Sequence, residues 1–217
     1  MEHKKAMIIA NGKPPAMDTI RPYLKQADTI IAADGGSLIC KKLGITPDVI
    51  LGDFDSIDDD LRKHFATSQF LHRSDQNYTD IQKALNYCRQ QDIRSVTLFA
   101  VFGLRNDHTS GNLIIFESFD PDIELTAVDE YGVMSRLFPG QTALPFSPGT
   151  TVSLFSLRPV INLSLEGFEY PLTGQSFAPF FLGISNVIQS SGATVSFDQG
   201  RLLLYRLVNH SGENPSS

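Results

Sequence analysis

The chain is predicted to be an α/β domain with a mostly parallel sheet, followed by a smaller all-β sandwich. Three observations predict this. Up to about residue 135, short apolar runs alternate with helical patterns, as stacked strand-helix units do. After about residue 138, Pro139-Gly140, Pro145 and Pro148-Gly149 introduce short strands separated by turns. The length, 217 residues, accommodates two modest domains at ~100–200 residues each. The expected domains are therefore 1-137 and 138-217.

In chain order, the first half offers strands at 6–10, 28–33, 48–51, 69–72, 95–101 and 123–128, a Rossmann-like three-layer pattern. The clearest helix runs from Thr79 to Gln91, where Ile81, Ala84, Leu85 and Cys88 form one apolar stripe and Thr79 with Gln82 suits a capping box. A second helix is expected from about Asp107 to Phe119, ending before Pro121. In the second half, Ala193–Phe197 and Leu202–Val208 read as a hairpin across Asp198-Gln199-Gly200, and the polar tail from His210 to Ser217 as frayed.

Composition narrows the function classes. A net charge of −6 without a Lys/Arg-rich run argues against a nucleic-acid partner. No apolar run approaches the ~18 residues a membrane span needs. Cys40 and Cys88 fall in helical patterns and read as buried, inert thiols in a reducing cytoplasm.

Four polar clusters each follow an expected strand, at the edge where open α/β sheets bind ligands. Asp34-Gly35-Gly36-Ser37 lets backbone amides approach a ligand, although strand-to-helix turns use the same residues. Asp53 and Asp55 flank Phe54 in a spacing that invites a divalent cation or forms a simple turn, with Ser56-Ile57-Asp58 capping a following helix. Phe54 itself is expected to turn into the core. Asp80, in a first helical turn after Thr79, is a dipole partner or a metal ligand. Arg105 offers a planar fork for phosphate beside Asp107 and His108, the latter a packed or capping histidine when taken alone. As a set, these carboxylates suit Mg²⁺ bridging to substrate phosphates. Neither standard glycine-rich nucleotide loop occurs.

These clusters, in this order, resemble the thiamine pyrophosphokinase family: Asp34-Gly35-Gly36, Pro47-Asp48, Gly52-Asp53-Phe54-Asp55-Ser56, Thr79-Asp80, Gly103, Arg105 and Asp107-His108. Leu165 to Leu172 and Gly183-Ile184-Ser185-Asn186 are similar to its thiamine-binding β-domain. The resemblance implies transfer of pyrophosphate from ATP to the hydroxyl of thiamine, giving thiamine diphosphate and AMP. It implies Mg²⁺ on Asp53, Asp55 and Asp80 with Asp34 direct or through water, with either Asp55 or Asp80 as proton acceptor. Phosphates and nucleotide would meet Gly35, Gly36, Thr79, Arg105, Asp107 and His108. Ser185 and Asn186 would lie near thiamine, and a homodimer would form through the β-domain. The chain departs from the family's usual residues at Asn77, Leu104 and Val187. Two alternatives remain at this point. One is a haloacid-dehalogenase-like Mg-dependent phosphatase with Asp53 as nucleophile; the other is a catalytically weak thiamine or nucleotide sensor of the same fold.

Overall fold

A computed structural model describes residues 4–55 and 57–208, so Ser56 and the expected frayed tail lie outside the described residues. The chain divides into two units at Glu130/Tyr131.

The first unit contains six parallel strands, β1 (Lys5–Ile9), β2 (Thr29–Ala33), β3 (Val49–Gly52), β4 (Gln69–His72), β5 (Ser95–Phe99) and β6 (Glu124–Val128). They run in the spatial order β6-β5-β1-β2-β3-β4. Ile8, Ile31, Ile50 and Leu98 are buried along these strands, the continuous apolar burial that parallel sheets require. The helices are α1 (Met17–Leu24), α2 (Gly36–Leu43), α3 (Asp59–His64), α4 (Asp80–Gln90) and α5 (Asn106–Ser118). α4 begins with the expected reciprocal cap, Thr79 accepting from the Gln82 amide and the Gln82 side chain accepting from the Thr79 amide. α3 is capped by Asp58, whose carboxylate accepts from the Leu61 amide at 2.8 Å. Acidic residues open α3 and Arg62, Lys63 and His64 close it, matching the helix dipole.

The chain visits β1 to β4 in one direction and then places β5 on the other side of β1. The carboxyl ends of β1 and β5 therefore form a topological switch point, the usual ligand crevice of such sheets.

The second unit is a sandwich of two antiparallel sheets. One has the order β12 (Leu182–Val187), β9 (Thr151–Phe155), β14 (Leu202–Leu207), β7 (Gly132–Leu137); the other has β11 (Leu172–Phe177), β10 (Val160–Glu166), β13 (Thr194–Phe197), β8 (Gly140–Ala143). Val152, Leu154, Leu163, Val195, Phe197 and Leu204 bring the inner faces together in one apolar core.

Two sequence expectations change. β7, placed before the expected boundary at 137/138, pairs with β14 over its whole length and belongs to the second unit. The final hairpin does not form: β13 pairs with β10 and β8, whereas β14 pairs with β7 and β9. The reason lies in the turn. The Asp198 amide donates to the Ile161 carbonyl and the Ile161 amide to the Gln199 carbonyl, so the turn is stitched to β10 and the chain passes from one sheet to the other.

Candidate active site

All four polar clusters of the first unit lie at one edge, because β2, β3, β4 and β5 are parallel and each cluster follows a carboxyl end. Asp34 follows β2, Asp53 and Asp55 follow β3, Thr79 and Asp80 open α4 beyond β4, and Arg105, Asp107 and His108 follow β5.

Asp34 is fixed from several sides. Its amide donates to the Leu51 carbonyl at 2.8 Å, and its own carbonyl accepts from the buried Ser37 hydroxyl at 2.7 Å. Its φ of 42° is left-handed, which a non-glycine residue sustains only where its surroundings dictate it. Gly52, at the end of β3, makes room for it: a Cβ there would lie 2.8 Å from the Asp34 Cβ and 2.9 Å from Oδ1. Gly36 likewise admits close approach, since a Cβ would collide with the Ile9 carbonyl oxygen of β1.

Left-handed non-glycine residues recur along this edge, with φ 70° at Phe54, 54° at Ala100 and 72° at Leu104. Each costs on the order of 1–3 kcal/mol, and such strain concentrates at functional sites. Phe54 is half-buried rather than in the core. Its ring packs edge-on to Phe70 at 5.9 Å and beside His72 at 5.6 Å, both on β4. Asp53 on one side of Phe54 is half-buried and Asp55 on the other is exposed, the Asp55 amide donating to the Asp53 Oδ1 at 3.3 Å.

Asp80 reports how near the carboxylates are. Burial pushes its carboxyl above the ordinary aspartate range, and the Asp34 charge, followed by the weaker influence of Asp53, adds to the rise. Lys83 opposes this with an ammonium 3.4 Å from the Asp80 Oδ1 and a side chain only 6% exposed. This buried lysine escaped the sequence reading. Its one local signal was a cation three residues after Asp80, since helical spacing puts Lys83 off the Ile81, Ala84, Leu85 and Cys88 stripe.

The donor set is all oxygen and fits a hard divalent cation. Among the described residues no three of its members converge into a ready-made cage.

Arg105 lies in the loop after β5, a strand two places from β2 and three from β3 in the sheet. Its Nε and Nη2 donate side by side to Asp107, at 3.1 and 2.5 Å. This pair holds the Asp107 carboxyl down at about 2. His108 is exposed in the first turn of α5. The loop containing these residues docks on the one after β1, with the Gly12 amide donating to the Ala100 carbonyl and the Lys13 amide to the Phe102 carbonyl. Asn77 has a local explanation: both its backbone and side-chain amides donate to the Asp75 Oδ1 at 2.9 Å, and an aspartate side chain would lack that second donor.

In the second unit, Asn186 is 5% exposed and fully engaged. Its Oδ1 accepts from the Tyr170 and Val187 amides and its Nδ2 donates to the Tyr170 carbonyl, tying β12 to the 168–170 segment. Ser185 is different: a register irregularity in β12 and a φ of 57° leave it exposed, while its amide donates to the Ser153 hydroxyl.

An open parallel sheet carrying carboxylates and a guanidinium at its carboxyl edge, followed in the chain by a β sandwich, defines a two-unit α/β protein with a polar ligand site at that edge. Two family models match, the thiamin pyrophosphokinase catalytic domain over residues 20–126 and the thiamin pyrophosphokinase vitamin B1 binding domain over residues 141–202. The chain belongs to the thiamin pyrophosphokinase family and is an enzyme. Thiamine pyrophosphokinase of Bacillus subtilis is 25% identical over 210 residues, covering 94% of this chain and 98% of the relative. A crystal structure of the Bacillus subtilis protein superposes with a TM-score of 0.81 at 25% identity, covering 95% of this chain and 100% of the other. Thiamin pyrophosphokinase from Candida albicans shares the fold, with a TM-score of 0.79 at 18% identity over 95% of this chain and 90% of its own. Neither the phosphatase nor the sensor reading finds support among these matches.

Proposed function

We infer that the chain transfers the terminal pyrophosphoryl group of ATP to the hydroxyl of thiamine. The thiamine oxygen forms a bond to the β-phosphorus, the bond from that phosphorus to the α–β bridging oxygen breaks, and AMP departs. The observation that carries this reading is that Asp34, Asp53 and Asp80 follow the carboxyl ends of the adjacent parallel strands β2, β3 and β4, with the Asp34 and Asp53 charges adding to the rise that burial gives the Asp80 carboxyl, in a chain of this family. Three acids so placed repel one another and favour a cation between them.

In this reading Asp53, Asp55 and Asp80 hold Mg²⁺, with Asp34 direct or through water. When bound, that ion neutralises charge on the transferred group. Asp55 or Asp80 accepts the thiamine proton. Gly35 and Gly36 present backbone to phosphate, and Thr79 fixes Asp80 through the cap. Arg105 turns its fork to phosphate oxygens across the switch point, while Asp107 and His108 order its loop. Ser185 presents its hydroxyl towards the thiamine, and Asn186 shapes the strand that carries it. The enzyme works in the cytoplasm; among the described residues no helix is long and apolar enough to cross a membrane. It acts as a homodimer, a state favoured by the exposed Phe180, Leu182 and Ile184 on and beside the edge strand β12.

The test is direct: purified chain with Mg-ATP and thiamine yields AMP and thiamine diphosphate, and Asp53→Asn abolishes both while keeping the fold. Absence of thiamine-dependent AMP from the wild type, or full activity of Asp53→Asn, overturns the reading. Light scattering at micromolar concentration tests the dimer, and a monomer mass refutes it.

A further inference from the structure

We propose that Arg62 is a positioning residue for the Asp53-Phe54-Asp55 turn, holding the Phe54 ring against β4 and thereby fixing the two carboxylates that flank it. The inference rests on the reading above in giving those carboxylates a cation to bind; the clamp itself is a matter of geometry. Phe54 has a φ of 70°, unusual for so bulky a residue. The hydrogen bonds of the turn are the Asp55 amide to the Asp53 Oδ1, long at 3.3 Å, and the Ile57 amide to the Phe54 carbonyl at 3.1 Å. The ring supplies more. It meets Phe70 edge-on at 76° and lies 5.6 Å from His72, and the Arg62 guanidinium carbon sits 5.0 Å from the centroids of both Phe54 and Phe70. One cation therefore spans two ring faces and pins the turn residue to its neighbouring strand.

The Arg62 side chain is exposed, but its backbone is well anchored. Its amide donates to the Asp58 carbonyl at 3.1 Å, the Asp58 side chain caps α3, and the adjacent Leu61 and nearby Phe65 are each 1% exposed. The helix that follows the Asp-Phe-Asp turn thus reaches back to set it. Without the guanidinium, Phe54 can leave the left-handed well, and rotation there swings Asp53 relative to Asp55.

Three variants of the full chain test this: Arg62→Ala, Arg62→Gln, which keeps length without charge, and Arg62→Lys, which keeps a cation for the rings. Amide hydrogen exchange at Asp55 and Ile57, referenced to Ile50 in β3, is expected to rise about 2–5-fold in the Ala and Gln variants. It should recover most of the way to wild type in Arg62→Lys. Mg²⁺ affinity, read by calorimetry without nucleotide, should weaken by a similar factor, with the Mg²⁺ requirement of turnover rising more than kcat falls. Unchanged exchange at Asp55 and Ile57 in both Arg62→Ala and Arg62→Gln overturns the clamp whatever the enzyme does. Faster exchange with unaltered Mg²⁺ affinity overturns its role in placing the carboxylates. A wild type that binds Mg²⁺ but makes no AMP defeats the proposed reaction and leaves both arms of this test readable.

Discussion

Gly52→Ala tests the candidate site through a single methyl group. The new Cβ would lie 2.8 Å from the Asp34 Cβ and 2.9 Å from its Oδ1, whereas carbon atoms in contact prefer about 3.5–4.0 Å. Asp34 must give way by roughly 0.7 Å or β3 must shift by as much. Its amide is tied to the Leu51 carbonyl and its carbonyl to Ser37, so the movement falls on the carboxylate. Overpacking of this kind costs about 1–3 kcal/mol, which lowers Tm by about 2–4 °C per kcal/mol in a chain of this size. Displacement of about 1 Å at a reacting centre costs about a hundredfold in rate. We therefore expect kcat/KM for thiamine-dependent AMP formation to fall about 10–100-fold, measured well below the variant's Tm. Gly111→Ala is the matched control: an added Cβ inside α5 meets nothing within 4 Å. It should stabilise the fold by about 0.5–1 kcal/mol and leave the rate unchanged. A folded Gly52→Ala protein with undiminished turnover would show that Asp34 is not part of the reacting centre.

Other expectations concern single groups. Asn186→Ala removes the side-chain amide that the part-buried backbone groups of Tyr170 now bond; a loss of about 1–2 kcal/mol in denaturant unfolding is expected, and a loss below 0.5 kcal/mol would refute the bracing role. Arg105→Lys removes the two-pronged pair with Asp107 and should raise KM for ATP more than that for thiamine, an unchanged ATP KM counting against it. Burial pushes the Cys40 and Cys88 thiols from 9.0 up to about 12. The folded chain keeps both protons in the window between those values while the unfolded chain loses them. Stability is thus intact below pH 9 and drains between about 9 and 12, by about 1.4 kcal/mol per pH unit per thiol. Labelling by a thiol reagent at pH 8 should proceed no faster than global unfolding, and rapid labelling of the native chain would contradict the burial.

Much of this architecture was legible because local rules and tertiary packing agree. The 69–72 strand, the capping box at Thr79 and the helix ending before Pro121 all depend on neighbours in sequence. The polar clusters were legible for the same reason, since each sits where a strand hands over to a loop. What stayed hidden depends on distant partners. Leu202–Leu207 looks the same whether it pairs with β13 or crosses to β7, and only the stitching of Gln199 to Ile161 decides. Phe54 was expected in the core, but it lies half-buried against Phe70 and Arg62, neighbours that its own segment does not reveal. Lys83 was hidden because a lysine in an amphipathic helix normally faces water, and nothing local shows that Asp80 draws it inward.

The position of β14 also bears on the order of assembly. Gly132 pairs with Leu207 and Leu137 with Leu202, so β7 emerges during synthesis long before the strand that completes it. β9 waits for the same neighbour. Until then both strands expose open hydrogen-bonding edges between apolar residues, which is where a nascent chain is most vulnerable to pairing with another copy. The six parallel strands of the first unit, by contrast, are all synthesised before β7. Chaperone dependence, where it arises, should map to the interval between the synthesis of β7 and that of β14.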